Sequence, residues 1–212
     1  MAEKSFMQLI IYPGLFIIAY LFGSFPTAYL LLKWSKKIDI RSQGSGNVGA
    51  MNAMRVSKSK LSGAFVLVVD LLKGALPAWY FSKLMPDEFL IVVILVSGVL
   101  LGHVYPVWLK FKGGRGLAVT AGALLVIRPE LVGIWIGIWL IFYLLVRRHI
   151  IASLIATFCL PIIVFFTRGV LFSDDILLLV LPVCMLIFQR HLERIPDLVE
   201  EKRLAIKNGD LK

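Results

Sequence analysis

Three short polar segments interrupt an otherwise apolar chain of 212 residues, and their residue types suit phosphate chemistry. The first is Gly44-Ser45-Gly46-Asn47-Val48-Gly49-Ala50-Met51-Asn52. Closely spaced glycines with serine and asparagine can turn consecutive backbone N–H groups toward one point, which is how a loop cradles an anion. Arg55 follows and offers a planar, permanently charged fork that fits phosphate. The same composition also describes a solvated loop with glycine turns, and these residues alone leave that choice open.

The second segment is Gly102-His103-Val104-Tyr105-Pro106, followed by Phe111-Lys112-Gly113-Gly114-Arg115-Gly116. Glycines beside two cations again allow close approach to phosphate. The spacing is not that of a P-loop, whose Lys-Ser/Thr ending is missing. His103 stands near the end of an apolar run, where an ionisable group is a site candidate and a hydrogen-bonded structural histidine is the alternative. The third segment, Arg190-His191-Leu192-Glu193-Arg194, closes the last apolar run. It also fits an interfacial anchor, since cations at a helix C-terminus are favoured by the macrodipole. Asp70 and Lys73 lie three residues apart within an apolar run and so share a helical face. Such a pair usually neutralises itself inside a bundle. A structural pair is the favoured reading, with Lys73 within reach of the polar site. Cys159 and Cys184 both lie in apolar runs, with no disulfide framework or zinc spacing. No metal-ligand cluster appears, so neither metal nor cofactor is expected.

The elements that must position these residues are membrane helices. The chain is 59% hydrophobic and only 17% charged, against roughly 45–50% apolar in soluble domains. One small core cannot hide that much apolar surface, so lipid must solvate it. The net charge of +10 would suggest nucleic acid in a soluble protein. Here the charges are confined to gaps between apolar runs, which points to anionic lipid or small anionic substrates and not to nucleic acid. Hydropathy predicts seven helices at about residues 9–32, 61–82, 89–109, 117–127, 131–146, 150–167 and 175–189. The fourth is too short to cross unless it borrows from the glycines before it. The first lacks a small-residue cleavage site and reads as a retained anchor. Lysine and arginine concentrate in the gaps at about 33–60, 110–116 and 147–149 and in the tail 190–212, while the other face holds only Lys4, Lys83, Arg128 and Arg168. That alternation predicts an all-α, seven-helix bundle in one domain, residues 1–212, with its N-terminus outside and its C-terminus cytoplasmic. No internal repeat of the transporter kind is visible.

These segments resemble the PlsY family, the membrane-integral glycerol-3-phosphate acyltransferases that use acyl phosphate. The matching residues are Gly23-Ser24-Phe25-Pro26, Asp39-Ile40-Arg41, Ser45 to Arg55, Asp70 with Lys73-Gly74, Gly102 to Gly116, and Arg190-His191. They occur in order over most of the chain, and the two long runs are specific. The resemblance implies acyl transfer from a long-chain acyl phosphate to the 1-hydroxyl of sn-glycerol 3-phosphate, giving lysophosphatidate and phosphate at a bacterial cytoplasmic (inner) membrane. No cofactor is expected, and no obligate protein partner is evident in the sequence.

On that reading Ser45, Asn47, Arg55, His103 and His191 are the catalytic candidates. Gly46, Asn52, Lys73, Lys112, Gly113, Gly114, Arg115, Gly116 and Glu193 would bind substrate. Backbone N–H groups around Ser45–Asn47 and Gly113–Gly114 would hold the oxyanion. The histidine-plus-aspartate pair, five residues apart, of other glycerophosphate acyltransferases is absent, because Trp108, Leu154 and Pro196 stand at those positions. The substrate's own phosphate would then act as base, with His191 or His103 orienting it. The chain departs from the family at Met51 (usually threonine), Arg115 (lysine), Leu192 (a basic residue), Arg194 (asparagine) and Asp197 (arginine). The competing classes are a transporter of a phosphorylated polyol and a non-catalytic paralogue that binds anionic lipid. Few intramembrane polar residues beyond Asp70, Lys73 and Thr120 are available for a transport path.

Overall fold

The computed structural model describes residues 2–193 and 195. Nine helices form among them. They are α1 (Ala2–Gly23), α2 (Thr27–Lys36), α3 (Ala50–Ser57), α4 (Lys60–Leu84), α5 (Phe89–Val104), α6 (Leu117–Ile127), α7 (Pro129–Val146), α8 (His149–Thr167) and α9 (Ile176–Leu192). Single 3-10 turns at Ile40–Ser42 and Val107–Leu109 complete the set. A helix satisfies its backbone polar groups within itself, which hydrocarbon demands.

All seven apolar runs appear as helices. Five stretches are long and apolar enough to cross a membrane: Leu9–Lys36, Lys60–Leu84, Phe89–Leu109, Pro129–Val146 and His149–Thr167. The first run is broken at Ser24–Pro26, between α1 and α2. Pro26 has no N–H to continue α1 and stands just before the first turn of α2, where none is needed. The expected loop at 33–60 is largely structured: the end of α2, a 3-10 turn, all of α3 and the first residue of α4 fall within it.

α6 is only 11 residues long, about 16 Å against roughly 30 Å of hydrocarbon. It does not borrow the preceding glycines, as the sequence reading required. The Gly113 and Gly114 N–H groups donate to the carbonyls of Val104 and His103 at 3.1 and 3.0 Å, which holds this stretch against α5 and out of any helix. The short helix is tolerated because Val119, Thr120, Gly122, Ala123 and Leu124 are buried in protein.

Small residues fix the two tightest helix pairs. In lipid, helices associate by close packing more than by a hydrophobic drive. α5 lies on α1 through Gly102, where an added Cβ would sit 2.0 Å from the Tyr20 carbonyl oxygen. α4 lies on α6 through Gly74 and Gly122, where a Cβ would stand 1.8 Å from the Val119 oxygen and 1.9 Å from the Leu71 oxygen. Further contacts of α6 with α7, α7 with α8, α8 with α9, α9 with α5 and α5 with α4 close a ring of six helices. Val99, Leu100, Val104, Val119, Leu179 and Ile187 fill part of its interior. On the opposite surface of α7, Leu140, Ile141, Leu144 and Leu145 are exposed, as a lipid-facing helix requires. A smaller apolar cluster of Ala28, Leu32, Ile40, Val48, Ala53, Val66 and Leu109 pins α2 and α3 to α4 beneath the first glycine-rich segment.

Candidate active site

A cavity of about 510 Å³ lies within this ring. Its polar end is lined by Asn47, Gly49, Ala50, Asp70, His103, Arg115, Gly116, His149 and His191. Its apolar end is lined by Leu71, Leu124, Val132, Trp135, Leu160 and Cys184. Leu117 to Leu124, Trp139 to Val132 and His191 to Cys184 each run seven residues from one end to the other, about 10 Å along a helix axis.

Two helices begin at the polar end. In α3 the first intrahelical bond is Ala53 N–H to the Gly49 carbonyl, and in α6 it is Thr120 N–H to the Gly116 carbonyl. The first-turn amides before each of these have no partner within their own helix. Ala50 and Met51 of α3 and Leu117 and Ala118 of α6 carry such amides and line the cavity. Both helix dipoles therefore favour negative charge there. Gly116 caps α6 at φ +86°, and a Cβ there would strike Leu100 Cδ1 at 2.4 Å.

The histidines arrive from three helices. His191, 1% exposed, has Nδ1 2.8 Å from the Ile187 carbonyl. A carbonyl only accepts, so Nδ1 carries the proton and Nε2 of the neutral ring presents a lone pair. That Nε2 and the Thr120 hydroxyl are buried without a hydrogen-bond partner among the described residues, and both residues line the cavity. Buried polar atoms are seldom left so, which marks this as a place for a ligand. His103 Nδ1 stands 3.7 Å from Asp70 Oδ1, an electrostatic contact too long for a hydrogen bond. Asp70 is bonded to Lys73 at 2.8 Å, and Lys73 Nζ also donates to the Phe25 carbonyl at 2.7 Å. His149 accepts at Nδ1 from Trp139 Nε1 at 3.2 Å.

Of the expected catalytic residues, the structure brings Asn47, His103 and His191 to the cavity, and of the expected binding residues, Arg115 and Gly116. The others stand elsewhere, for identifiable reasons. The Ser45 N–H donates to Asn52 Oδ1 at 3.0 Å, and the Gly46 N–H donates to the Gln43 carbonyl at 3.0 Å. Asn52 Nδ2 donates to the carbonyls of Gln43 and Asn47, both at 3.0 Å. Asn52 is thus the internal brace of the loop and does not line the cavity. The amides of Ser45, Gly46, Gly113 and Gly114 are all committed within the chain, which corrects the expectation that they hold the oxyanion. Gly114 instead makes room: a Cβ there would sit 2.0 Å from His103 Nε2.

Lys73, Gly113 and Gly114 border a separate water-sized void of about 10 Å³, together with Ser24 and Thr27. Arg55 is exposed one turn beyond Met51 on the same face of α3 and is outside the lining. Lys112 is exposed away from the cavity. Glu193 pairs with Arg190, whose guanidinium lies 5.3 Å over the Tyr105 ring. Arg194, Asp197 and the tail from 196 onward lie outside the described residues. Among the described residues no group of three His, Cys, Asp or Glu side chains is placed to hold a metal. The sequence reading passed over His149, Trp139 and the Asp70–His103 contact. Asp70 and His103 meet across two helices, which no search at fixed spacing can see.

Outside the membrane helices, Asp39 caps the 3-10 turn and bonds Arg41 through both carboxylate oxygens, at 3.0 and 2.7 Å. The Arg41 guanidinium pushes the Asp39 carboxyl down to about 2.

Fold and cavity together define a multi-pass membrane helix bundle whose cavity joins two helix starts and Arg115 at one end to an apolar lining at the other. The family model described as glycerol-3-phosphate acyltransferase matches residues 14–201. A glycerol-3-phosphate acyltransferase of Shewanella woodyi (strain ATCC 51908 / MS32) is 38% identical over 199 residues, covering 92% of this chain and 94% of the relative. Two crystal structures of PlsY (YgiH), an integral membrane glycerol 3-phosphate acyltransferase, superpose with TM-scores of 0.78 and 0.76 at 32% identity. Each covers 90% of this chain and 92% of the other; one is a glycerol 3-phosphate form and one a lysophosphatidic acid form. The chain belongs to the glycerol-3-phosphate acyltransferase family.

Proposed function

We propose that this cavity transfers a long-chain acyl group from acyl phosphate to the 1-hydroxyl of sn-glycerol 3-phosphate, at the cytoplasmic face of a bacterial inner membrane. The observation that carries this reading is the joining, over about 10 Å of one cavity, of two helix N-termini to an apolar compartment. One compartment suits two phosphates and the other a fatty chain. Membership of the acyltransferase family and the glycerol 3-phosphate form of the 32%-identical PlsY structure support it.

The chemistry follows from the residues. The 1-hydroxyl oxygen attacks the carbonyl carbon, and its proton passes to the buried lone pair on His191 Nε2. The bond from that carbon to the phosphate oxygen breaks, and phosphate leaves with the electron pair. Phosphate is a good leaving group, so positioning and charge stabilisation remain as the main tasks. Arg115 and the first turn of α6 hold one phosphate, and Asn47 with the first turn of α3 holds the other. Amides of these two helix starts replace the committed loop amides as oxyanion donors. We also read the chain as a single domain with its N-terminus outside, its C-terminus cytoplasmic, and no obligate protein partner.

The test is product formation by purified protein in lipid nanodiscs, with palmitoyl phosphate or palmitoyl-CoA as donor. Lysophosphatidate should form from the phosphate donor alone, and His191→Gln should lower kcat by about 10²–10⁴-fold, the usual worth of a general base. Turnover with the CoA ester but not with acyl phosphate would overturn the assignment of donor. Counterflow of labelled glycerol 3-phosphate in proteoliposomes would instead favour a carrier.

A further inference from the structure

We propose that Trp139 holds His149 as a fixed N–H donor for the head group of the acyl phosphate. This rests on the proposed function and adds a binding residue and a positioning residue to it.

An indole nitrogen can only donate. The bond from Trp139 Nε1 to His149 Nδ1 therefore requires a lone pair at Nδ1, and the neutral ring carries its proton on Nε2. The two rings meet edge to face, with centroids 5.5 Å apart, so the imidazole has little freedom to turn. Trp139 is itself held. It stacks between Trp135 and Tyr143, at centroid separations of 6.5 and 5.0 Å. Trp135 Nε1 donates to the Thr157 hydroxyl at 3.0 Å. The aromatic ladder of α7 is thus tied to α8 at two heights, and His149 hangs from its polar end.

His149 and His191 line the same cavity in opposite tautomers. His191 offers a lone pair, fixed by the Ile187 carbonyl, and His149 offers a hydrogen, fixed by an indole. One suits proton removal and the other suits an anionic oxygen. The choice of ligand follows from what lies below. Trp135, Thr157 and Leu160 continue the same α7–α8 wall toward the apolar end. A molecule whose tail lies on that wall has its head at His149. The polar end under α3, with Asn47 and Gly49, is left to the smaller phosphate.

Two measurements test this. In protein labelled with ¹⁵N-histidine in nanodiscs, His149 should carry its proton on Nε2, and Trp139→Phe should shift it toward a mixture. In steady-state kinetics, His149→Ala should raise KM for acyl phosphate about tenfold, the worth of one hydrogen bond to a charged group. KM for glycerol 3-phosphate should stay within about twofold, and His149→Gln, which keeps a donor, should recover most of the loss. Trp139→Phe should move the same KM in the same direction, with thermal unfolding run beside it to exclude a folding defect. A proton on Nδ1, or a rise in KM for glycerol 3-phosphate instead, overturns the inference. A wild-type protein inert with acyl phosphate counts against the proposed function alone. The inference is then decided by the affinity for a non-hydrolysable acyl phosphonate: weaker binding to His149→Ala supports it, and unchanged binding overturns it.

Discussion

Gly114 separates two accounts of the same glycine-rich segment. If its value lies in cradling phosphate, an added methyl obstructs the substrate. If its value lies in making room for His103, the methyl obstructs only the imidazole. The structure favours the second. The Gly114 N–H is bonded to the His103 carbonyl, and a Cβ would lie 2.0 Å from His103 Nε2. Ordinary carbon–nitrogen contact begins near 3.4 Å, so Gly114→Ala must push the ring by about 1.4 Å or turn it away from Asp70. A misplacement of about 1 Å at a reacting centre costs on the order of 10²-fold in rate, or about 2.7 kcal/mol in the barrier. The decisive comparison is a double-mutant cycle read by phosphate release in nanodiscs. Gly114→Ala should cost about 10²-fold in the wild-type background. In a His103→Ala background, where no ring remains to displace, it should cost less than about threefold, a large departure from additivity. An undiminished penalty in that background would show that the glycine touches substrate itself, and that making room for the imidazole is not its role.

Three further outcomes follow from the same geometry. Asn52→Ala strands the carbonyls and the amide it braces, at about 1–3 kcal/mol for each unsatisfied group; the apparent Tm should fall and KM for glycerol 3-phosphate should rise, whereas an effect on kcat alone would contradict a bracing role. Asp70→Asn leaves Lys73 buried without its carboxylate and should destabilise by about 3–5 kcal/mol. Asp70→Leu combined with Lys73→Met should restore the unfolding temperature but not turnover, and restored turnover would remove Asp70 from the site. Asp39 has its carboxyl held down to about 2 from 3.8, chiefly by Arg41, so its contribution is present in full above the unfolded value and fades as pH falls toward 2. The difference in unfolding temperature between wild type and Asp39→Asn should therefore shrink steadily below about pH 4; a difference independent of pH would refute the pairing.

Hydropathy located every apolar helix because lipid imposes one demand on all of them. The expected bounds of α6 coincide with the observed Leu117–Ile127. The break at Ser24–Pro26 escaped because the apolar character of the run continues through it, while only the backbone stops. α3 escaped because its eight residues sit among glycines and lysines, and its apolar contacts come from α2 and α4. At the site, Asn47, His103, Arg115, Gly116 and His191, which their types singled out in the sequence, do converge on one cavity. What residue types could not convey is where each N–H points. Ser45, Gly46, Gly113 and Gly114 look alike in sequence to amides that face a ligand, yet each donates to the chain itself. His149 followed two arginines and resembled part of a charged turn until α7 placed an indole against it.

The half-length α6 carries a last consequence. Its partner α7 is seven residues longer, so when the two run side by side from their shared turn at Arg128, α6 starts about 10 Å short of the level where α7 emerges. On the proposed function, the reacting carbonyl would then be met beneath the headgroup layer. A fatty donor can glide in sideways with its chain still in oil, escaping the roughly 0.8 kcal/mol that each methylene lifted into water would cost. The water-soluble acceptor must make the descent instead.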